Sequence, residues 1–226
     1  MAAQRLWPWY LAAWAAGLGP ALYLGWCILH GQMTANPVEF LEHQTGLRAL
    51  QLLLATLAMT PLRRLTGAAA PLRIRRTLGL WAYAWLCVHL SMYLVFDLGF
   101  SAAQLSDDLI KRTYITLGFA GWLLLLPLAI TSTQGWQRRL KRNWKRLHRL
   151  IYPAVLLGAL HFVWLVKRDE REPLTYLAVL LTLLALRLPK PSRWRAILPA
   201  RSPTQNLSLE PESNPAPGRG RPPLGP

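Results

Sequence analysis

Two histidines lie inside apolar segments of membrane-spanning length, where a polar side chain is costly to keep. His89 lies in the apolar segment at about 78–98, and His161 lies in another at about 150–166. Polar residues within such segments usually mark functional sites. Because imidazole is an iron ligand and a six-coordinate b-type heme needs two of them, the pair predicts a heme site. An interhelical His–His hydrogen bond and a proton relay are the alternatives.

The composition indicates a polytopic helical membrane protein. Of the 226 residues, 53% are hydrophobic, the mean hydropathy is +0.20, and apolar blocks near membrane-spanning length recur along the chain. The formal net charge of +16 comes from basic residues in the links between these blocks, as expected for loops facing the cytoplasm and its anionic lipid. We therefore expect contact with membrane lipid and no nucleic-acid partner. The two cysteines lie inside apolar blocks and predict neither a disulfide framework nor a zinc site.

The apolar blocks predict an all-α integral membrane fold, a bundle of six transmembrane helices. Their expected positions are about 9–29, 46–60, 78–98, 114–130, 150–166 and 174–188. The second is short and is expected to stop at Pro61. We expect residues 1–190 to form the transmembrane domain. Residues 191–226 are rich in Pro, Ser, Gly and Arg, and we expect them to form a disordered cytoplasmic tail.

The basic residues predict the orientation of these spans. Of the 26 Lys and Arg residues, 20 lie in the two terminal segments and in the links after the second and fourth spans, whereas 5 lie in the opposite links. The positive-inside rule then places both termini in the cytoplasm. Counted from where each span enters from the cytoplasm, near Leu78 and near His148, His89 is 11 residues in and His161 is 13 residues in, or about 16 and 20 Å. We therefore expect both imidazoles at matched depth, mid-membrane and slightly toward the outer face, as a shared heme iron requires.

Three further residues are candidate cofactor contacts. Gly158 lies one turn before His161 and leaves room for a flat macrocycle. His148 lies 13 residues before His161, about 20 Å along the helix axis and near the cytoplasmic face, with its side chain about 140° around the helix. It is a candidate ligand of a second redox centre, and a surface role in the basic cluster is the alternative. Arg48 could pair with a heme propionate or extend to the outer interface.

Five short motifs give the chain a family resemblance. They are Arg-Arg-Thr-Leu-Gly-Leu-Trp at 75–81, Phe-Asp-Leu-Gly at 96–99, Lys-Arg-Thr-Tyr-Ile-Thr-Leu-Gly at 111–118, Leu-Ala-Ile-Thr-Ser-Thr at 128–133 and Trp-Lys-Arg-Leu-His-Arg-Leu-Ile-Tyr at 144–152. In this order and spacing, over about residues 5–190, the chain resembles the MsrQ family (also called YedZ) of heme-binding membrane subunits, within the ferric reductase-like transmembrane group. His89, His148 and His161 match histidine positions of that family.

The resemblance implies a function, a location and partners. Family members take electrons from the membrane quinone pool, with FMN associated, and pass them through heme b to MsrP, a periplasmic molybdopterin subunit. That subunit reduces methionine sulfoxide in oxidised envelope proteins. The resemblance thus implies an electron-transfer subunit of an oxidoreductase complex in the bacterial inner membrane, with a cytoplasmic flavin reductase as a further partner.

The chain departs from the wider group in one respect, and other functions stay open. A full two-heme site would need a second histidine on the third span, near Arg75 and Arg76, so a second heme would have His148 and an unidentified second ligand. The chain has no Rossmann glycine fingerprint, so flavin must bind at the membrane face or arrive with a partner. The alternative functions are a transmembrane reductase of ferric iron or another small substrate, and a heme-free transporter or assembly scaffold.

Overall fold

A computed structural model describes residues 6–166 and 170–187, and every regular element within them is helical. The α-helices of these residues are α1 (Trp7–Leu29), α2 (Pro37–Thr66), α3 (Ala70–Met92), α4 (Ala102–Lys111), α5 (Thr113–Ile130), α6 (Gln134–Leu140), α7 (Arg142–Leu147), α8 (Ile151–Leu165) and α9 (Arg171–Ala185). A π-helical turn, Tyr93–Asp97, continues α3, and a 3-10 turn, His148–Leu150, joins α7 to α8. The predicted all-helical class is confirmed. The predicted domain boundary at residue 190 and the tail after it lie outside the described residues.

Five helical segments of the described residues are long and apolar enough to cross a membrane. They are α1, α2, α3 with its π-helical turn, α5, and the run from α7 through α8. They correspond to the first five predicted spans and support the prediction of a multi-pass membrane protein. The helix at the sixth predicted position, α9, has 15 residues and is shorter than these five.

Helix α2 is much longer than the span predicted for it. It has 30 residues rather than the segment 46–60, so the prediction that it stops at Pro61 is wrong. It begins early because Asn36 caps it, accepting a hydrogen bond from the Glu39 N–H at 3.3 Å, with Pro37 at the first helical position. It ends at Gly67, whose φ of 69° lies in the left-handed region that glycine adopts readily.

Helix α2 continues through Pro61 because another part of the chain replaces the missing hydrogen bond. Proline has no N–H, so the carbonyl oxygen of Leu57, four residues earlier, lacks its usual intrahelical donor. The guanidinium of Arg187, which follows α9, donates to this oxygen through Nε at 3.2 Å and also through Nη2. It donates as well to Thr60 Oγ1 at 3.1 Å and to Tyr152 Oη at 3.0 Å. Arg187 therefore stabilises the proline-containing turn and ties the end of α9 to α2 and α8.

Helices α2, α3, α5 and α8 form a closed ring around the interior. The most extensive contacts join α2 to α3 and α5 to α8, and contacts of α3 with α5 and of α2 with α8 close the ring. Leu57, Ala82 and Val155 are fully buried within it. Helix α1 packs outside, against α3, where Trp85 Nε1 donates to the carbonyl oxygen of Gly17 at 2.9 Å. The ring helices are therefore the elements that position side chains in the protein interior.

We expect Arg187→Met to lower the melting temperature. Methionine retains an apolar stem but cannot donate to Leu57, and leaving a buried carbonyl unsatisfied costs about 1–3 kcal/mol. Thermal unfolding in detergent, followed by tryptophan fluorescence, measures the effect. Arg63→Met, at an exposed arginine of α2, is the matched control, and equal melting temperatures for the two variants would contradict the role of Arg187.

Candidate functional site

The structure brings the side chains of His89 and His161 together inside the helical ring. His89 comes from α3 and His161 from α8, and their ring centroids are 6.2 Å apart with an interplanar angle of 76°. Bonds between imidazole nitrogens and metal ions are about 2 Å long, so two imidazoles that bind one ion from opposite sides have centroids about 6 Å apart. The separation of the two rings therefore suits a shared metal ion.

A hydrogen bond to a neighbouring helix holds each of these rings. His89 Nδ1 lies 3.0 Å from the carbonyl oxygen of Glu42 in α2, and His161 Nδ1 lies 2.6 Å from that of Tyr114 in α5. A carbonyl oxygen only accepts, so Nδ1 carries the proton in both imidazoles. Nε2 is then left with its lone pair free for a metal ion, as in many histidine ligands whose second nitrogen is held by the protein.

Two glycines allow the imidazoles to lie directly against the helix backbones. A Cβ atom added at Gly46 would lie 3.0 Å from Cε1 of His89, and one at Gly118 would lie 2.8 Å from Nδ1 of His161. Any larger residue would push the ring away from its carbonyl partner. Sequence reasoning did not single out these glycines. The feature that could have pointed to them is a glycine inside an apolar helix, because such a glycine usually has a packing or functional role.

A cavity of about 930 Å³ adjoins the two imidazoles and is lined by all four ring helices. Gly158 lines it, and a Cβ atom added there would meet nothing within 4 Å, so this residue leaves space as the sequence predicted. Within the described residues, two buried side-chain polar atoms have no hydrogen-bond partner, Glu42 Oε1 and Trp122 Nε1. Both residues line this cavity. Because buried polar atoms are normally hydrogen-bonded, they fit a bound cofactor that has polar groups as well as an apolar ring.

The arginine that reaches the cavity is Arg112, not Arg48. The guanidinium of Arg48 donates to Gln51 Oε1 and Gln44 Oε1, each at 2.8 Å, on α2 itself. Arg112 lies on the cavity wall, and its Nε is 3.2 Å from Asp108 Oδ1. From the sequence, Arg112 was part of the motif at 111–118 and was not a candidate cofactor contact. Its proximity to the cavity arises because α4 and α5 meet at this residue.

His148 lines a second, smaller cavity, apart from His89 and His161. This cavity measures about 310 Å³ and is lined also by Arg75, Arg76 and Tyr83. The imidazole of His148 stacks on Trp144, with 3.9 Å between ring centroids, and its Nδ1 lies 3.1 Å from the carbonyl oxygen of the same residue. His148 therefore lies beside two arginines in the lining of this cavity.

Comparisons with known proteins define first the class and then the family of the chain. Residues 45–159 match the family described as "Ferric reductase like transmembrane component". The chain is 52% identical over 207 residues, 89% of its length and 92% of the relative, to the "Protein-methionine-sulfoxide reductase heme-binding subunit MsrQ" of Xanthomonas axonopodis pv. citri (strain 306). It is 51% identical over 210 residues, 90% of its length and 94% of the relative, to the protein of the same name from Xanthomonas campestris pv. campestris (strain 8004).

These matches span nearly the whole of each relative. The chain belongs to the MsrQ family, and the resemblance inferred from its motifs is confirmed. No solved structure gives a significant match to the chain.

We expect Gly118→Ala to lower the melting temperature, although alanine is normally the better helix former by about 1 kcal/mol. The added methyl group would displace His161 from the Tyr114 carbonyl oxygen. Thermal unfolding in detergent tests this. Gly25→Ala is the control, because a Cβ atom at Gly25 would meet nothing within 4 Å. Equal or higher stability of Gly118→Ala relative to Gly25→Ala would contradict the close packing of His161.

Proposed function

We propose that the chain is a heme b electron-transfer subunit in which His89 and His161 are the axial ligands of the heme iron. The single observation that carries this proposal is the pair of adjacent imidazoles, whose ring centroids are 6.2 Å apart and whose Nδ1 atoms both donate hydrogen bonds to backbone carbonyls. The name of the relatives, which calls them heme-binding subunits, supports it. When bound, heme supplies a one-electron carrier that alternates between ferric and ferrous iron.

The polar residues around the cavity suit the rest of a heme molecule. A heme combines a flat apolar macrocycle with two propionate carboxylates. Gly158 leaves space beside the macrocycle, and Arg112 at the cavity wall offers a cation for a propionate. This assigns to Arg112 the propionate contact for which Arg48 was a candidate.

We propose six transmembrane helices with both termini in the cytoplasm, α9 being the sixth. Contacts at both ends of α9 support this. At one end Glu172 Oε2 lies 3.7 Å from His43 Nε2, near the start of α2, and at the other Arg64 Nη1 donates to the carbonyl oxygen of Leu186 at 2.8 Å, near the end of α2. The 15 residues of α9 measure about 22 Å. With the flanking residues at each end, α9 extends along most of α2.

The proposed direction of electron flow is from the cytoplasmic side to the outer side of the bacterial inner membrane. Glu42 and Tyr114, which hold the imidazoles, lie in the first two turns of α2 and α5, at helix ends that the positive-inside rule places outside. A heme there lies closer to the outer surface than the mid-membrane depth expected from the sequence. We therefore propose that electrons from quinone, with FMN as a further carrier, leave toward a periplasmic molybdopterin reductase of the MsrP type. The relatives' name, which includes protein-methionine-sulfoxide reductase, supports this partner.

The visible spectrum tests the ligand pair. We expect the purified protein to have a bis-imidazole b-type spectrum that is lost in His89→Ala and in His161→Ala, because each variant removes one axial ligand. His30→Ala is the control, since this exposed histidine stacks on Trp26 away from the cavity. An unchanged spectrum in either ligand variant would refute the assignment.

We propose that His148, in the smaller cavity, contacts a second redox group on the cytoplasmic side. Its imidazole is a ligand type that suits a second heme, and Arg75 and Arg76 suit the phosphate of FMN. The heme-to-protein and flavin-to-protein ratios of His148→Ala test this proposal. If a second heme is bound, we expect the heme ratio to fall by half, and if FMN is bound, we expect the flavin content to fall while heme is retained. Retention of both groups at the ratios of the unmodified protein would contradict a cofactor role for His148.

A further inference from the structure

A stack of aromatic rings connects the two cavities. Trp122 in α5 lines the larger cavity, and Tyr83 in α3 lines the smaller one. Their ring centroids are 6.4 Å apart, with an interplanar angle of 21°. Phe119, which also lines the larger cavity, stacks on Trp122 with 5.8 Å between ring centroids and an interplanar angle of 25°. Three nearly parallel rings therefore lie between the two sites.

The stack approaches the imidazole pair from the cytoplasmic side. Trp122 follows Gly118 by four residues, so both lie on one face of α5, and Gly118 is the residue against which His161 packs. Tyr83 precedes His89 by six residues on α3, or about 9 Å along the helix axis. The stack thus extends from the neighbourhood of the proposed ligands toward the cavity of His148.

The described residues that line both cavities are saturated. They are Leu53 and Leu125, each 5% exposed. Electrons cross between redox groups more readily through closely spaced π systems than through saturated side chains, because the π orbitals lie closer in energy to the transferring electron. The aromatic stack is therefore the favoured route between the two cavities.

We propose that Tyr83 and Trp122 form the bridge through which electrons pass from a donor at the smaller cavity to the heme site, an inference that rests on the proposed function. The donor is a two-electron organic reductant, a hydroquinone or a reduced flavin. Each transfer moves one electron and reduces one ferric iron to ferrous. The donor is oxidised by two successive transfers and releases its protons on the cytoplasmic side. Tyr83 and Trp122 form and break no bonds and undergo no net redox change.

The test measures heme reduction from the cytoplasmic face. Heme-loaded protein in sealed liposomes is mixed rapidly with chemically reduced FMN, which reaches only the molecules whose cytoplasmic face is outward, and ferrous heme is followed by absorbance. We expect the heme of Trp122→Leu and of Tyr83→Leu to be reduced at least an order of magnitude more slowly than that of the unmodified protein. Trp122→Phe and Tyr83→Phe keep an aromatic ring, so their rates of heme reduction should fall less than those of the leucine variants.

Two controls separate the route from general damage. Trp14→Leu removes a different aromatic contact, with Trp81 on the outside of the bundle, and should keep the unmodified rate. Tyr83→Leu should have the heme content, the oxidised spectrum and the midpoint potential of the unmodified protein, because Tyr83 does not line the larger cavity. This variant therefore decides the question if Trp122→Leu loses heme.

The remaining outcomes overturn one proposal or the other. Unmodified rates in both leucine variants would refute the bridge and leave the proposed function standing. A slower rate accompanied by a lower midpoint potential would also refute it, because the driving force rather than the route would then have changed. A protein without bound heme, or with heme that reduced FMN does not reduce from the cytoplasmic face, would refute the proposed function and the bridge with it.

Discussion

Hydrogen bonds from Nδ1 of His89 and His161 to backbone carbonyls of adjacent helices set the geometry on which the site depends. They join α3 to α2 and α8 to α5, the same two helix pairs that make the most extensive contacts of the bundle. Each imidazole can reach its carbonyl only because glycine leaves the facing backbone uncovered, at Gly46 and at Gly118. Helix packing, ring orientation and the free Nε2 atoms are therefore consequences of one local arrangement that occurs twice.

Elsewhere in the bundle, a side chain satisfies a backbone carbonyl that would otherwise have no hydrogen-bond donor in the membrane. A proline within α2 would leave the Leu57 carbonyl without a donor, where water is not available to replace it. Arg187 supplies the donor and also contacts Tyr152 in α8. One arginine after the last described helix thus stabilises both α2 and α8, which carry Gly46 and His161. The short α9 matters for the site because it brings Arg187 to this position.

The resemblance of the motifs and the depth of the histidines anticipated much of the fold and of the candidate site. His89 and His161 were predicted to lie at matched depth, from the orientation of their spans and the helical rise. The extent of α2 was not predicted, because Pro61 normally ends a helix and its replacement donor lies 126 positions further along the chain. Arg48 and Arg112 could not be ranked as cofactor contacts, because both lie near the outer ends of spans. Only the fold shows that Arg48 binds glutamines of its own helix.

The sequence alone determined the helical membrane class, the family and the positions of the histidines along their helices, because apolar periodicity, charge asymmetry and motif spacing are local properties of the chain. Tertiary structure decided which groups surround those histidines. The partners of the imidazoles, the closeness of Gly118 to His161 and the stack of Tyr83 on Trp122 join residues from different helices. Their contacts depend on how each helix is rotated against its neighbours, which the packing of the whole bundle fixes.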